Sequence, residues 1–508
     1  MTQQSADAPR SPTPEEEYVE VETAAGRVRG CRRPTAAGGR YPRSVAFLGI
    51  PFAEAPVGEL RFAAPVPKAP WQGVRDALAF GPTAQRGDPG ITLIPEPSIP
   101  GDSTLNVNVF TPDPEAAGLP VLVWIHGGGY ISGSPASPWY DGRAFNRDGV
   151  VTVSLSYRVG FDGFGWIEDA PSNRAVRDWL LALEWVQQNI AAFGGDPDRV
   201  TIAGQSAGGG AVLTLLGMPA AQHLFHSAYA LSGVLADVSA ERSEALGRAV
   251  AEAGSVAPTR AGLSSLSELR VLELQKNATA LDPGRMSSII DDGLPLGPVV
   301  DGDLLPRPTR DSLRAGVGAD KPLVLGTTDD EFTMVLAEAG EKLRWVPRGL
   351  LLRKLGLTGT ARKEYLAANA DVAAKGKARL GGRLVTDRLF RTAVVQIAAA
   401  RREAAGDIAD AAPTWVYRFS WPSGRFGFAE HCLDVPFFFD CLDGPAMVPL
   451  AGPNPPQALA DAVHAAAVAF VVDGDPGWPP TDERGIARVY DTTVHDMPDA
   501  YASVRALL

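Results

Sequence analysis

Residues 200–212 read VTIAGQSAGGGAV, and the fold follows from what such a stretch can do. The β-branched run Val200-Thr201-Ile202 favours a strand. Gly-Gln-Ser-Ala-Gly follows it, and a run of small residues then opens a helix. Ser206 stands at the centre of Gly-x-Ser-x-Gly. A serine on so sharp a strand-to-helix turn takes a strained backbone conformation, and only residues without side chains fit beside it at Gly204 and Gly208. The turn lifts the hydroxyl off the sheet, where a base can reach it. A glycine-rich loop that merely packs a helix on a strand shares the pattern, so the reading leans on the flanking segments.

Upstream, Asn173 to Phe193 repeats apolar residues at helical spacing (Val176, Trp179, Leu183, Val186, Ile190). Ser172 or Asn173 is placed to cap its start, and Gly194-Gly195 stops it. Leu119–Ile125 (LPVLVWI) and Val150–Tyr157 (VVTVSLSY) are continuous apolar runs, the mark of strands buried on both faces of a parallel sheet. Ser227–Leu231, Leu323–Gly326 and Thr414–Ser420 are expected as further strands. Strand, long helix, strand, sharp turn and helix make the βαβ succession of a doubly wound sheet. Tyr18–Gly30 alternates as an edge hairpin. The prolines of Val45–Trp71 predict a long covering loop. Residues 240–290 and 335–382 are polar and helical in pattern, as insertions that cap the sheet. Arg383–Ala405 and Gln457–Val472 are expected as long Ala-rich helices.

Residues 1–17, MTQQSADAPRSPTPEEE, have the composition of a disordered tail, and 18–508 are expected to form a single domain. The chain carries a formal charge of −12 with no block of Lys or Arg, which argues against nucleic acid as a partner. No apolar run is long enough to span a membrane. The N-terminus lacks the apolar core of a signal peptide. Cys31, Cys432 and Cys441 offer no disulfide framework, in keeping with a reducing, cytoplasmic setting.

A serine hydroxyl attacks a carbonyl only when a base takes its proton, and an imidazole oriented by a carboxylate is the usual base. With such an elbow, the acid and then the histidine follow the serine along the chain. Three histidines come late enough: His431, His464 and His495. His464 sits inside a helical pattern and His495 in a polar terminal stretch. His431 lies in a loop after the Thr414–Ser420 strand, where such sheets place reactive groups, and is the expected base. Asp329, Asp330 and Glu331 all follow the Leu323–Gly326 strand, and spacing does not choose among them. WIHGGG (124–129) directly follows the LPVLV strand. Its glycines can turn backbone N–H groups inward, so Gly128 and Gly129, with Ala207 after the nucleophile, are the expected donors of an oxyanion hole.

These segments, taken together and in order, resemble the type-B carboxylesterase family, which includes cholinesterases and bacterial para-nitrobenzyl esterases. The markers are GIPFAEAPVGELRF (49–62), WIHGGGY (124–130), YRVG (157–160), ALEWVQQNIAAFGGDPDRVTIAGQSAGG (182–209), GPVVDGDLLP (297–306), GTTDDEF (326–332) and AEHCLDVPFFF (429–439). The resemblance implies an α/β-hydrolase fold, a mostly parallel central sheet with helices on both faces and helical cap insertions. It implies a carboxylic-ester hydrolase in which Glu331 is the triad acid beside Ser206 and His431. It also implies Ser232 as a serine near the triad. Gln205 stands where the family often has Glu, which removes a negative charge and argues against cationic alcohols. The family's N-terminal disulfide positions correspond to about Ala84 and Ser103, and neither is a cysteine.

Tyr130, Phe161, Phe164, Trp166, Phe332, Phe437 and Phe438 lie beside these segments in sequence and are the expected apolar pocket. Neutral short-to-medium acyl or aromatic esters are the expected substrates. Carbamates, activated amides or aromatic polyester fragments are the alternative, and a non-catalytic binding protein of this fold is a third reading. The chemistry calls for no metal or organic cofactor. A small-molecule ester is the expected partner, with the chain a monomer or weak homodimer.

Overall fold

The structure is a computed structural model that describes residues 17–87, 93–280, 293–338, 340–343, 345–406 and 408–508. Its strands are β1 (Tyr18–Thr23), β2 (Gly26–Pro34), β3 (Arg43–Pro51), β4 (Val74–Asp76), β5 (Asn106–Thr111), β6 (Leu119–Ile125), β7 (Val151–Leu155) and β8 (Gly195–Gln205). They continue with β9 (Ser227–Leu231), β10 (Val238–Ser239), β11 (Val299–Val300), β12 (Leu323–Thr328), β13 (Thr414–Phe419), β14 (Ala487–Tyr490) and β15 (His495–Met497). One sheet runs β1-β2-β3-β5-β7-β6-β8-β9-β12-β13-β14-β15, with β4 on β2. From β7 to β14 every neighbouring pair is parallel, and both flanks are antiparallel apart from the parallel β2–β4 pair.

The alternation of side chains along β6 shows how the layers form. Val121, Val123 and Ile125 enter one hydrophobic core, and Leu122 and Trp124 enter the other. Helix α1 (Arg174–Asn189) and helix α2 (Ala207–Leu216), which follows the elbow, cover the first face. Further along the chain, α3 (Lys377–Thr386) belongs to the cap and α4 (Thr392–Ala405) packs on the first face through Val394, Ile397 and Ala398, with a π-helical turn at Asp387–Arg391 between them. The expected single helix from Arg383 thus begins earlier and contains a wider turn. Helix α5 (Gln457–Asp473) covers the second face through Leu459, Val463 and Phe470. Each large apolar side chain buried in these layers contributes about 1.5–3 kcal/mol. This is the α/β-hydrolase arrangement, with helices on both sides of a mostly parallel sheet.

Three expectations need correction. Arg43–Pro51 is strand β3, held between β2 and β5, rather than the start of a covering loop. Proline enters that segment only at its last residue, so 43–50 keep their ladder donors. Asn173 does not cap α1 through its side chain; its amide instead bonds the backbone of Val299 in both directions, at 2.8 and 2.7 Å. Glu17, assigned to the tail, is anchored: its carboxylate meets Arg32 and Arg43, and its carbonyl accepts from the Arg32 N–H. The rest of the tail, 1–16, and residues 281–290 of the first insertion lie outside the described residues. Among the described residues, no helix is long and apolar enough to cross a membrane.

Candidate active site

Strand β8 delivers Ser206 to the turn with φ 59° and ψ −122°. Such a conformation persists only where its surroundings hold it from several sides. Here the Ser206 N–H donates to the Leu231 carbonyl at 2.9 Å, and its carbonyl accepts from the N–H of Gly210 and Val234. A Cβ at Gly208 would stand 2.0 Å from the Ile125 carbonyl oxygen, so the glycine is a steric requirement.

The loop after β6 turns back at Gly128 (φ 104°) and Gly129 (φ 61°). A Cβ at Gly128 would meet the Ser132 carbonyl oxygen at 2.2 Å. The Gly128 carbonyl is tied down by the N–H groups of Ile131 and Ser132 and by the Ser132 hydroxyl. Among the described residues nothing accepts from the N–H groups of Gly128, Gly129 or Ala207, and both glycines line the cavity onto which Ser206 opens. Beneath them His126 is fully buried and stacked on Tyr157 at 4.3 Å, and the Tyr157 hydroxyl donates to the His126 carbonyl. Burial pushes the His126 pKa down to about 4, so this ring stays neutral and donates from Nδ1 to the Gly127 carbonyl.

The three acids after β12 have separate partners. Asp329 is paired with Arg418 at 2.6 Å and lies 3.7 Å from Arg383. Burial opposes its ionisation, but these arginines outweigh burial and hold its carboxyl well below the usual range. Asp330 receives Arg379 at 2.7 Å and Arg383 at 3.1 Å. Glu331 turns the other way and is fully buried. Its Oε2 lies 2.5 Å from His431 Nδ1, and its Oε1 accepts from the Ser232 hydroxyl at 2.7 Å and the Thr328 N–H at 2.8 Å. Backbone pairing adds a further tie, from His431 N–H to the Glu331 carbonyl. The His431 ring is stacked against Phe332 and tilted on Phe390, with centroids 5.0 and 5.3 Å away.

Burial works to lower the pKa of His431, but Cys432 and Glu331 outweigh it and the net direction is upward. Burial likewise raises the Cys432 thiol, which is therefore uncharged at neutral pH. Glu331, 2.5 Å from Nδ1, is with Cys432 one of the two groups that make the ring more basic. On its other side, Nε2 faces the Gln205 amide nitrogen at 3.2 Å. Among the described residues, the Ser206 hydroxyl makes no hydrogen bond. Glu430, next to His431 in the chain, is fully buried, and neither carboxylate oxygen has a hydrogen-bond partner among the described residues. Burial pushes its pKa up to about 9, against the pull of Arg425 and His431.

Ser206, His431, Gln205 and Gly127–Gly129 open onto one cavity of about 570 Å³. Its other walls come from Leu93, Ile94 and Glu96, from Val234, Leu235 and Leu294, and from the π-helical turn through Arg388, Leu389 and Phe390. Thr392, Ala393 and Gln396, in the first turns of α4, extend that last wall. Glu96 accepts from the Tyr140 hydroxyl, and burial raises its carboxyl to about 7. Among the described residues, no three His, Cys, Asp or Glu side chains converge to hold a metal ion.

Of the expected pocket aromatics, Phe332 alone lines this cavity. Tyr130 and Phe164 pack edge to face in the core under the first sheet face. Phe161 belongs to a satellite cluster with Phe62, and Trp166 carries Arg248 on its ring. Phe437 and Phe438 fill the opposite core. Proximity in sequence misled because strand ends and short turns send neighbouring side chains to opposite layers. The unforeseen wall residues sit in loops without a motif (Leu93, Ile94, Glu96, Val234, Leu235 and Leu294) and in the helical stretch from Arg388 to Gln396. The excluded histidines are elsewhere: His464 is buried between the Phe438 carbonyl and Asp148, and His495 is exposed.

Residues 17–484 match the carboxylesterase family. The para-nitrobenzyl esterase of Bacillus subtilis is 32% identical over 453 residues, covering 86% of this chain and 88% of that protein. Fumonisin B1 esterase of Sphingopyxis macrogoltabida is 32% identical over 470 residues, covering 88% and 83%. The crystal structure of the Geobacillus stearothermophilus carboxylesterase EST55 superposes with a TM-score of 0.80 at 32% identity, covering 96% of this chain and 99% of that one. Since the matched span carries the parallel strands β6 to β9, β12 and β13, the elbow and both loops that meet it, the chain belongs to the carboxylesterase family.

Proposed function

We propose that this chain hydrolyses neutral carboxylic esters with short-to-medium acyl or aromatic parts, through an acyl-enzyme on Ser206. The observation that carries the reading is the Glu331–His431 pair at 2.5 Å, whose ring shares a cavity with the elbow serine and the glycine loop. As the Ser206 oxygen bonds to the ester carbonyl carbon, its proton passes to His431 Nε2. Negative charge gathers on the carbonyl oxygen, where the N–H groups of Gly128, Gly129 and Ala207 receive it. The carbonyl re-forms, the C–O bond to the alcohol breaks, and His431 returns its proton to the departing oxygen. Water then attacks the acyl-enzyme by the same route and frees the acid. Glu331 keeps Nδ1 protonated and offsets the charge of the imidazolium.

The mainly apolar wall supports neutral substrates. Relatives named para-nitrobenzyl esterase and fumonisin B1 esterase support ester chemistry on small molecules. The alternative, carbamates, activated amides or aromatic polyester fragments, would use the same groups. The proposal extends to residues 18–508 acting as one domain, in the cytoplasm, as a monomer or weak homodimer.

The test is Ser206→Ala beside the wild type, on para-nitrophenyl esters of rising chain length, aryl carbamates and anilides. Turnover falls by about 10⁴-fold or more in the variant. More than a tenth of wild-type turnover in the variant removes Ser206 from the role. Faster wild-type turnover of carbamates or anilides than of esters replaces the substrate class.

A further inference from the structure

We propose that Gln205 is a positioning residue, the alternative to Ser206 as hydrogen-bond partner of the His431 Nε2 lone pair, and that it yields this lone pair to Ser206 when an ester is bound. The inference rests on the triad reading above. Gln205 is the last residue of β8, is 1% exposed, and holds its amide nitrogen 3.2 Å from Nε2. Its neighbour Ser206 has reversed φ, and its hydroxyl meets no partner among the described residues.

The proton inventory sets which atom of the amide faces the ring. Nδ1 points at a carboxylate, which only accepts, so Nδ1 carries a proton. A neutral ring then has just a lone pair at Nε2. An amide N–H fits that lone pair and an amide oxygen does not. The same lone pair must receive the Ser206 proton, and it holds one strong hydrogen bond at a time. Gln205 and Ser206 are therefore alternative partners of one atom. When Nε2 takes the proton, it becomes a donor, and the amide nitrogen no longer suits it. The amide oxygen does; it lies on the side of Gly127, where a Cβ added to that glycine would stand 3.2 Å from it. A half-turn of the amide thus serves the imidazolium. Glutamine can follow the ring through both protonation states, whereas glutamate can only accept and favours the charged ring throughout.

The test compares wild type, Gln205→Met and Gln205→Glu in two assays. One is the second-order rate of fluorophosphonate labelling of Ser206. The other is the pH profile of kcat/KM on para-nitrophenyl butyrate. Met keeps the side-chain length without the hydrogen bond, so labelling accelerates by about five-fold, the scale of one net hydrogen bond. Glu moves the acid limb of the profile up by about one pH unit. Four other titratable groups act on His431, namely Glu331, Cys432, Glu430 and Asp434. They are the same in all three proteins, so a shift belongs to position 205. Slower labelling of Gln205→Met with an unmoved acid limb means that Gln205 only packs, and overturns the proposal. An unmoved limb in Gln205→Glu does the same. If Gln205→Met does not fold, Gln205→Asn, one methylene too short to reach, takes its place with the same expectation. A wild-type protein that neither labels nor hydrolyses would instead bring down the triad reading itself.

Discussion

Glu430→Gln should stabilise this protein, and by more as the pH rises. The unfolded chain ionises this carboxyl above its ordinary pKa of 4.5, whereas burial keeps it neutral in the folded chain up to about 9. Folding therefore takes up a proton across that window. Because the folded pKa is raised, stability is undiminished below the unfolded value and declines as pH climbs toward the folded one. Each pH unit costs about 1.36 kcal/mol, so at pH 7 the gross penalty is about 3 kcal/mol. Local relaxation and water entry trim it to about 2 kcal/mol. Glutamine matches the neutral acid in shape and never ionises, so it removes the pH-dependent part alone. Unfolding entropy of about 2.1 cal/mol/K per residue makes 1 kcal/mol worth about 1 °C in a chain of 508 residues. The expected gain in Tm is about 2 °C at pH 7, under about 1 °C at pH 5 and about 3 °C at pH 8.5. Calorimetric scans of both proteins at a fixed rate across these pH values measure it. A difference that stays flat, or narrows with rising pH, would refute the reasoning.

Glu331→Gln should cut kcat by about 10³- to 10⁴-fold with little change in Tm, because its NH2 group must oppose either the Thr328 N–H or the ring proton of His431. Asp330→Asn should do the reverse, costing about 3–5 kcal/mol of stability by leaving Arg379 and Arg383 under-compensated while kcat falls less than about ten-fold; the opposite ranking would transfer the acid's role. Because Glu331 raises the basicity of His431, kcat/KM should rise with pH about a midpoint above the ordinary imidazole value of 6.5; a midpoint at or below that value in a buffer series contradicts the balance drawn here. Gly208→Ala puts a methyl 2.0 Å from a fixed carbonyl, so soluble yield or fluorophosphonate labelling should collapse, and normal labelling would disprove the steric argument.

The parallel core was legible because its strands are apolar on both faces. LPVLVWI and the Val200–Gln205 stretch have few other ways to bury themselves. Strand β3 was not, because the prolines from Pro51 onward outweighed residues 45–50, which contain none. Among the catalytic candidates, Ser206 and His431 could be singled out by motif and chain order. The choice of acid could not be made from spacing, because three carboxylates in a row differ only in which way a turn points them. The arginines of the cap segment, Arg379 and Arg383, and Arg418 of β13 hold Asp329 and Asp330, while Ser232, the Thr328 N–H and His431 hold Glu331. The cavity wall was invisible for a related reason. Leu389 and Phe390 look like any apolar helix residues until a wider turn aims them inward.

That wider turn at Asp387–Arg391 makes the cavity adjustable by length as well as by composition. A π-helical turn amounts to one residue more than an α-helix needs, and each residue accounts for about 100° of rotation. Excising one residue there would rewind α4 against α3 and swing Thr392, Ala393 and Gln396 out of the wall, leaving the elbow and the Glu331–His431 pair on the loops that follow β8, β12 and β13. A lineage could therefore change which acyl groups fit by a single-codon deletion distant in sequence from Ser206, a route that comparison of substituted positions alone would overlook.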